Sequence, residues 1–280
     1  MSKQLIVNAD DYGLSAGVSA GIRQAHREGI VTSTTVLMNY PAAAEALRQA
    51  LAETPTLDLG VHLVLTEGIP VLPPEQIPSL VAHGINGEFT SLLDWLEHAG
   101  ELNPAEVRAE WQAQIRAFIQ ITGRQPSHLD SHHHAAFYTP TLCKILLELA
   151  AEYGAAVRYP IALTVGQAQY WGAPWQESWD KTVAPELHAL FADATLRYPP
   201  RFEARFYDPT DALAELHAVL AELPDGVTEL MCHPAHVDAE LVSLTSYHAP
   251  RAGELKALTA PEIRATLQAA GVELIDFTAL

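Results

Sequence analysis

Two aspartates, Asp10 and Asp11, stand side by side at the end of the apolar run Leu5-Ile6-Val7-Asn8-Ala9, just before Tyr12-Gly13. Adjacent carboxylates at a strand end repel each other, and a cation or a shared proton relieves that repulsion. Further donors for a cation are His62, within Val61-His62-Leu63, and the cluster His128-Leu129-Asp130-Ser131-His132-His133-His134. Imidazole nitrogen ligates divalent metals, and a carboxylate orients the ring. His62 lies in Gly60 to Leu65, which reads as a strand buried on both faces, so its ring needs a partner. With Asp11 and His132 it makes a two-His, one-carboxylate set. Such a set leaves coordination positions for water and substrate. Strand alternation puts His128, Asp130, His132 and His134 on one face, and Leu129, Ser131 and His133 on the other.

His233, followed by Pro234 at a strand end, is a candidate general acid. Its neighbour Cys232 points to the opposite face of a strand, so no Cys–His nucleophilic pair is expected, and Cys232 reads as a small core residue. No G-x-S-x-G elbow, P-loop or G-x-G-x-x-G occurs, which removes support for serine hydrolase, NTPase and nucleotide-dependent redox chemistry. What remains is metal-assisted attack of water on a carbonyl. One aspartate, Asp10 by preference, takes the proton from the water, and His233 protonates the leaving amine. Spacing alone leaves open which aspartate is ligand and which is base.

These residues need a scaffold that brings distant strand ends together. Strand patterns fall at Leu5–Ala9, Val31–Met38, Leu57–Leu65, Pro126–His132, Ala155–Arg158, Thr228–His233 and Val272–Phe277. Helical patterns alternate with them. Ser15 is placed to cap the first, Pro41 opens one that runs to about Glu53, and Thr139-Pro140 opens another. In Pro104–Thr122, Val107, Trp111, Ile115, Phe118 and Ile119 recur at helical spacing and read as a core-facing stripe. The alternation implies an α/β fold with a mostly parallel sheet, and six to eight βα units fit a distorted (β/α) barrel. In such barrels the chemistry sits where strands end, which would put Asp10, Asp11, His62, His132 and His233 on one face. The proline-rich stretch Thr66–Thr90 reads as an ordered loop beside that face. Pro160–Pro200 reads as an irregular capping insertion carrying Trp171, Trp175 and Trp179. These tryptophans either cover the core or form a sugar-binding lid. A single domain over 1–280 is expected.

Bulk properties narrow the partners. The 280 residues are 49% hydrophobic, which argues for a packed core, and the net charge of −18 argues against nucleic acid and anionic membranes. No apolar run is long enough to span a bilayer, and no secretory signal is visible. Two cysteines make no disulfide framework, so a reducing cytoplasm is the expected location.

The motifs resemble the YdjC-like carbohydrate deacetylases, which include the chitooligosaccharide (diacetylchitobiose) deacetylases. The resemblance rests on Leu5 to Ser15, Gly29 to Thr35, Gly60-Val61-His62, Gly123-Arg124, Pro126 to His134, Glu229 to Ala235 and Pro250-Arg251. It implies a (β/α) barrel related to polysaccharide deacetylases and removal of an acetyl group from an N-acetylated sugar. It also implies a divalent ion, by family magnesium, although two imidazoles and a carboxylate suit zinc on ligand preference. By position, Asp11, His62 and His132 match the metal ligands, Asp10 the base and His233 the acid. Asp130, His128, His134 and Arg251 fall to supporting or substrate-facing roles. Family members often follow the His triplet with Val-His, where this chain has Ala135-Ala136, which bears on the sugar. The expected partner is a small N-acetylated sugar or oligosaccharide, and a homodimer is left open. Two alternatives stay in view: a metal-dependent hydrolase of a phosphoester or cyclic amide, and an inactive sugar-binding barrel.

Overall fold

The computed structural model describes residues 2–160 and 181–280. Its centre is a sheet of eight strands, all paired in parallel: β1 (Lys3–Tyr12), β2 (Ser33–Val36), β3 (Asp58–Leu63), β4 (His128–Ser131), β5 (Ala156–Val157), β6 (Arg201–Glu203), β7 (Gly226–Cys232) and β8 (Val272–Leu274). Spatial order runs β5-β4-β3-β2-β1-β7-β6, with β8 on β1. The first half of β1 pairs β8 through Lys3–Leu5, and its second half pairs β2 from Asn8. Among the described residues no ladder joins β5 to β6, so the expected distorted barrel is an open one.

Helices cover the outside of the sheet. Those described are α1 (Ala16–Glu28), α2 (Ala43–Glu53), α3 (Leu92–His98), α4 (Pro104–Thr122), α5 (Pro140–Tyr153), α6 (Ala184–Asp193), α7 (Ala212–Glu222), α8 (Ala239–Leu244), α9 (Ala249–Leu258) and α10 (Pro261–Ala269). Local chemistry fixes their starts. Ser15 accepts the Val18 N–H, Thr139 accepts that of Leu142 ahead of Pro140, and Asp211 accepts that of Ala214. The α4 stripe is core: Val107, Trp111, Ile115 and Phe118 are fully buried, with Ile119 partly buried beside them.

The segment read as irregular between Pro160 and Pro200 holds α6. There Leu187 and Phe191, one turn apart, bury against the core. A four-residue apolar spacing inside a proline- and aromatic-rich stretch gave too weak a periodic signal. The short strand β6 and the helices α8 and α9 were missed for the same reason, being brief and locally polar. Trp171, Trp175 and Trp179 lie outside the described residues. Both cysteines are buried and unpaired by disulfide. Cys232 donates to the Asn8 carbonyl at 3.4 Å, the core placement expected of it. Among the described residues no helix is long and apolar enough to cross a membrane.

Candidate metal centre and active site

All five strand-end residues converge at one mouth. Neighbours on a strand normally face opposite ways, yet Asp10 and Asp11 both reach the same cavity. The cause is a bulge: the β1–β2 register shifts between Ala9 and Tyr12, and Asp11 takes the left-handed conformation at φ 70°. Gly13 follows at φ 91° and turns the chain over Ala43, whose Cα would lie 2.9 Å from any added Cβ. The Asp11 backbone strain, of the order of 1–3 kcal/mol, is thus spent where it re-aims a carboxylate.

Asp11 Oδ2 accepts from Arg251 Nη2 at 2.7 Å, and its Oδ1 is buried with no hydrogen-bond partner. That oxygen lies 3.6 Å from His62 Nε2 and 3.3 Å from His132 Nδ1. Ligands at about 2.1 Å around a tetrahedral ion stand about 3.4 Å apart, so both separations from Asp11 match the edge of a coordination shell, and all three ligand atoms lie within 4.8 Å of one another. His62 faces this point because Asp130 Oδ1 holds its Nδ1 at 2.6 Å, the carboxylate–histidine pairing that fixes a ligating tautomer. Asp130 Oδ2 in turn accepts from Thr35. The residues present therefore fit a divalent ion held by Asp11, His62 and His132. Burial disfavours protonation of His62, but Asp130 and Asp10 outweigh it and raise its pKa. Burial also opposes ionisation of Asp11, and Arg251 with His132 overrides it, holding the carboxyl well below the usual range.

Asp10 is held differently. Arg158 grips both of its oxygens at 2.7 Å, and Asn8 Nδ2 donates to Oδ1 at 2.8 Å. Against the cost of burial, this pairing keeps Asp10 ionised far below the normal carboxylate pKa. Its Oδ2 lies 3.9 Å from His62 Nε2 and 4.0 Å from His233 Nε2. His233 is oriented by Glu254, which accepts its backbone N–H at 2.5 Å and bonds the Tyr247 hydroxyl. Burial pushes the His233 ring down to about 4, so it is neutral at rest near pH 7, and Glu254 up to about 7.

The remaining predicted residues separate. Asp130 hydrogen-bonds His62 and Arg251 hydrogen-bonds Asp11. The strand alternation fails after Ser131, where β4 ends and His132–Phe137 form a 3-10 turn with His133 at φ 52° and His134 at φ 54°. His134 does reach the cavity, set edge-on to Phe202 with ring centroids 5.5 Å apart, and burial pushes it down to about 3. His133 hydrogen-bonds Thr66 at 2.9 Å. His128 is not part of the cavity lining. It stacks on Phe277 deep in the sheet and reaches Asp10 only through Asn8, whose Oδ1 it meets at 3.0 Å. Gly60 makes room for it: a Cβ there would come within 2.6 Å of the His128 ring.

Two residues with large roles escaped the sequence reading, Arg158 and Glu229. Arg158 is fully buried and spans three carboxylates: Asp10, Asp130 at 3.0 Å and Glu229 at 2.7 Å. Burial pushes Glu229 up to about 7 despite that contact. Each carries a charge inside or at the end of an apolar strand, Ala155-Ala156-Val157-Arg158 and Glu229-Leu230-Met231, which was the available signal. The cavity itself measures about 660 Å³, a size that suits a small ligand. Tyr207 and Tyr247, stacked with centroids 4.3 Å apart, form one wall beside His233.

Comparison with known proteins places this geometry in context. Residues 4–269 match the family model described as YdjC-like protein. A carbohydrate deacetylase of Brevibacillus brevis is 36% identical, covering 99% of each chain. A chitooligosaccharide deacetylase of Salmonella paratyphi B is 34% identical over 97% of this chain and 96% of its own. A crystal structure from Enterococcus faecalis, provisionally described as a cellobiose-phosphate cleavage protein, superposes with a TM-score of 0.85 at 33% identity, covering 100% of this chain and 99% of that one. The fold alone is shared with the Xyl-CE4 domain of a multidomain xylanase from the hindgut metagenome of Trinervitermes trinervoides, at TM-score 0.52 and 8% identity over 100% and 89% of the two chains.

Proposed function

The chain belongs to the YdjC-like family, and on that premise we propose that it is a metal-dependent hydrolase removing acetyl from an N-acetylated sugar, a chitooligosaccharide such as diacetylchitobiose. The observation that carries the proposal is the buried, unpartnered Asp11 Oδ1 set between His62 Nε2 and His132 Nδ1. The names of its deacetylase relatives support the substrate class. A divalent ion held by these residues supplies Lewis-acid polarisation for an acyl transfer to water. The donor set favours zinc on softness, and magnesium follows from the family resemblance.

The protein's own groups divide the remaining work. Asp10, fixed by Arg158 and kept ionised, offers its Oδ2 toward the space between His62 and His233, where it takes the proton of the attacking water. His233, neutral at rest, receives from Asp10 the proton taken from the water, across the 4.0 Å between Asp10 Oδ2 and His233 Nε2, and passes it to the sugar nitrogen as the C–N bond breaks, which leaves Asp10 ionised again. Acetate and the free amine leave. Tyr207 and Tyr247 offer an aromatic wall to the sugar ring. The phosphoester alternative is weaker: of the cavity's arginines, Arg205 is engaged by Glu203 and Glu222, and Arg251 by Asp11. Two buried free thiols support a reducing, cytoplasmic setting.

The test is acetate release from diacetylchitobiose by metal-loaded protein, with a panel of phosphoesters alongside. Turnover abolished by chelator and restored by metal is the expected result. No acetate from any N-acetylated sugar after metal is restored would reject the proposal, and sugar binding without turnover would favour the inactive barrel.

A further inference from the structure

One wall of the cavity carries polar groups that the protein itself does not use. Tyr40 lies shortly beyond the end of β2 and Glu67 shortly beyond that of β3, and both line the cavity. Among the described residues, neither the Tyr40 hydroxyl nor the Glu67 carboxylate has a hydrogen-bond or ion-pair partner. The Glu67 main chain, by contrast, is firmly held. Its N–H donates to the Thr90 carbonyl at 3.0 Å, and Asn39 Nδ2 donates to its carbonyl at 3.2 Å. Next to it, the Phe89 N–H donates to the Gly68 carbonyl at 3.0 Å. Gly68 also fixes the phenol, since a Cβ there would lie 3.2 Å from Tyr40 Cζ and 3.3 Å from its hydroxyl oxygen.

Glu67 takes the left-handed conformation at φ 63°, just ahead of Gly68 at φ 77°. Two successive left-handed residues suit Asn, Asp or Gly, so a glutamate in the first place is strained. The contacts that fix residue 67 are all to its main chain and would serve a glycine as well. The strain is therefore tied to the carboxylate, and such strain collects at functional sites. A second ion does not account for it. The ligand atoms of Glu67, His132 and His133 lie within 4.8 Å of one another, but the two imidazoles sit 3.8 Å apart and 30° from parallel, so their in-plane lone pairs do not converge. Burial, and after it the charges of Glu67 and Asp11, push the Tyr40 phenol above its ordinary pKa, so it keeps its proton and can donate. The wall thus offers one donor and one acceptor. It reaches the cavity from the β2–β3 side of β1, whereas Tyr207 and Tyr247 stand with His233 on the β7–β6 side.

We propose that Glu67 and Tyr40 are a substrate-binding pair, the carboxylate accepting from and the phenol donating to hydroxyls of the sugar ring that lies against the tyrosine stack. This rests on the deacetylase reading of the same cavity. A sugar ring offers C–H faces to aromatic rings and hydroxyls around its edge, so it suits a space with tyrosines on one side and a donor–acceptor pair on the other. Glu67 stands within 4.8 Å of the ligand atom of His132, so the hydroxyl it meets is one beside the acetamido group that reaches the centre. The pair binds the substrate and takes no part in the proton transfers of Asp10 and His233.

The test is calorimetric titration of metal-loaded Asp10→Asn protein with diacetylchitobiose, beside steady-state acetate release in the otherwise wild-type chain and metal quantification throughout. Glu67→Gln is expected to weaken sugar binding about 10–100-fold and Tyr40→Phe about 3–10-fold, the losses of a charged and a neutral hydrogen bond. Each is read as Kd in the first background and as KM in the second, with kcat within about threefold and metal content unchanged. Gln keeps the length of glutamate at the left-handed position and Phe keeps the ring, so neither substitution disturbs the packing. Kd and KM unchanged in either variant would overturn the inference and leave the deacetylase reading intact. So would loss of metal from Glu67→Gln, which would make Glu67 a ligand. Binding weakened as expected in a chain that releases no acetate would instead reject the deacetylase reading and uphold the pair.

Discussion

Asp10 and Asp11 are consecutive, equally buried and each gripped by an arginine, yet their carboxylate oxygens are occupied differently. Asp10 has both oxygens occupied, by Arg158 and Asn8. Asp11 gives one oxygen to Arg251 and leaves the other buried without a partner. A buried acceptor left unpaired costs about 1–3 kcal/mol, so an ion at Asp11 relieves a deficit that Asp10 does not have. On the proposed reading, hydrogen-bond accounting rather than proximity separates ligand from base.

The sharpest way to break this comparison is to neutralise each aspartate in turn. Asp11→Asn is expected to lose the active-site metal and lower acetate release by at least about 10³-fold, the loss of several kcal/mol of Lewis-acid assistance. Asp10→Asn should keep the metal and lose about 10²–10⁴ in kcat, as removal of a general base does. Metal quantification beside steady-state kinetics reads both. If the two variants lose metal equally, the division between them fails.

The arginines sharpen it next. Arg158→Met strands three carboxylates in the interior and should cost about 3–5 kcal/mol in denaturant unfolding. Arg251→Met frees only one and should cost about 1.5–3 kcal/mol. Equal losses would mean that the two clamps are equivalent. Asp130→Asn removes the negative charge beside His62 Nδ1 and should weaken metal affinity about 10–100-fold.

The pH dependence of stability divides the same network. Asp10 and Asp11 titrate below their unfolded values, so their contribution is complete above about pH 4 and is lost as pH falls. Glu229 is raised from 4.5 to about 7, so the folded state holds its proton while the unfolded state releases it. Its contribution is therefore lost as pH rises between those values. Glu229→Gln should remove that decline, so that Tm of the variant minus that of wild type grows more positive from pH 5 to pH 8. A constant difference would contradict the assignment. The smallest effect is expected at Asn8→Ala, about 1–2 kcal/mol for three buried hydrogen bonds, the one to Thr35 long at 3.3 Å, with kcat reduced only several-fold.

Much of this was legible in the sequence because it depends on strand ends. Asp10, Asp11, His62, His132 and His233 each fall at or near the C-terminal end of a strand pattern, and a parallel barrel gathers such positions at one face. What was not legible depends on conformation or on distant partners. The bulge that turns Asp11 beside Asp10 rests on one left-handed residue. The end of β4 at Ser131 broke the alternation that had grouped His134 with His128. Arg158 meets Asp10 across 148 positions of chain, and nothing local to either names the other.

The most direct measurement is an anomalous difference map from a crystal of the metal-loaded protein. The division of labour predicts one strong peak within about 2.0–2.3 Å of Asp11 Oδ1, His62 Nε2 and His132 Nδ1, with Asp10 still on Arg158 and outside the first coordination sphere. A peak bound by Asp10, or one that lacks Asp11, would contradict it.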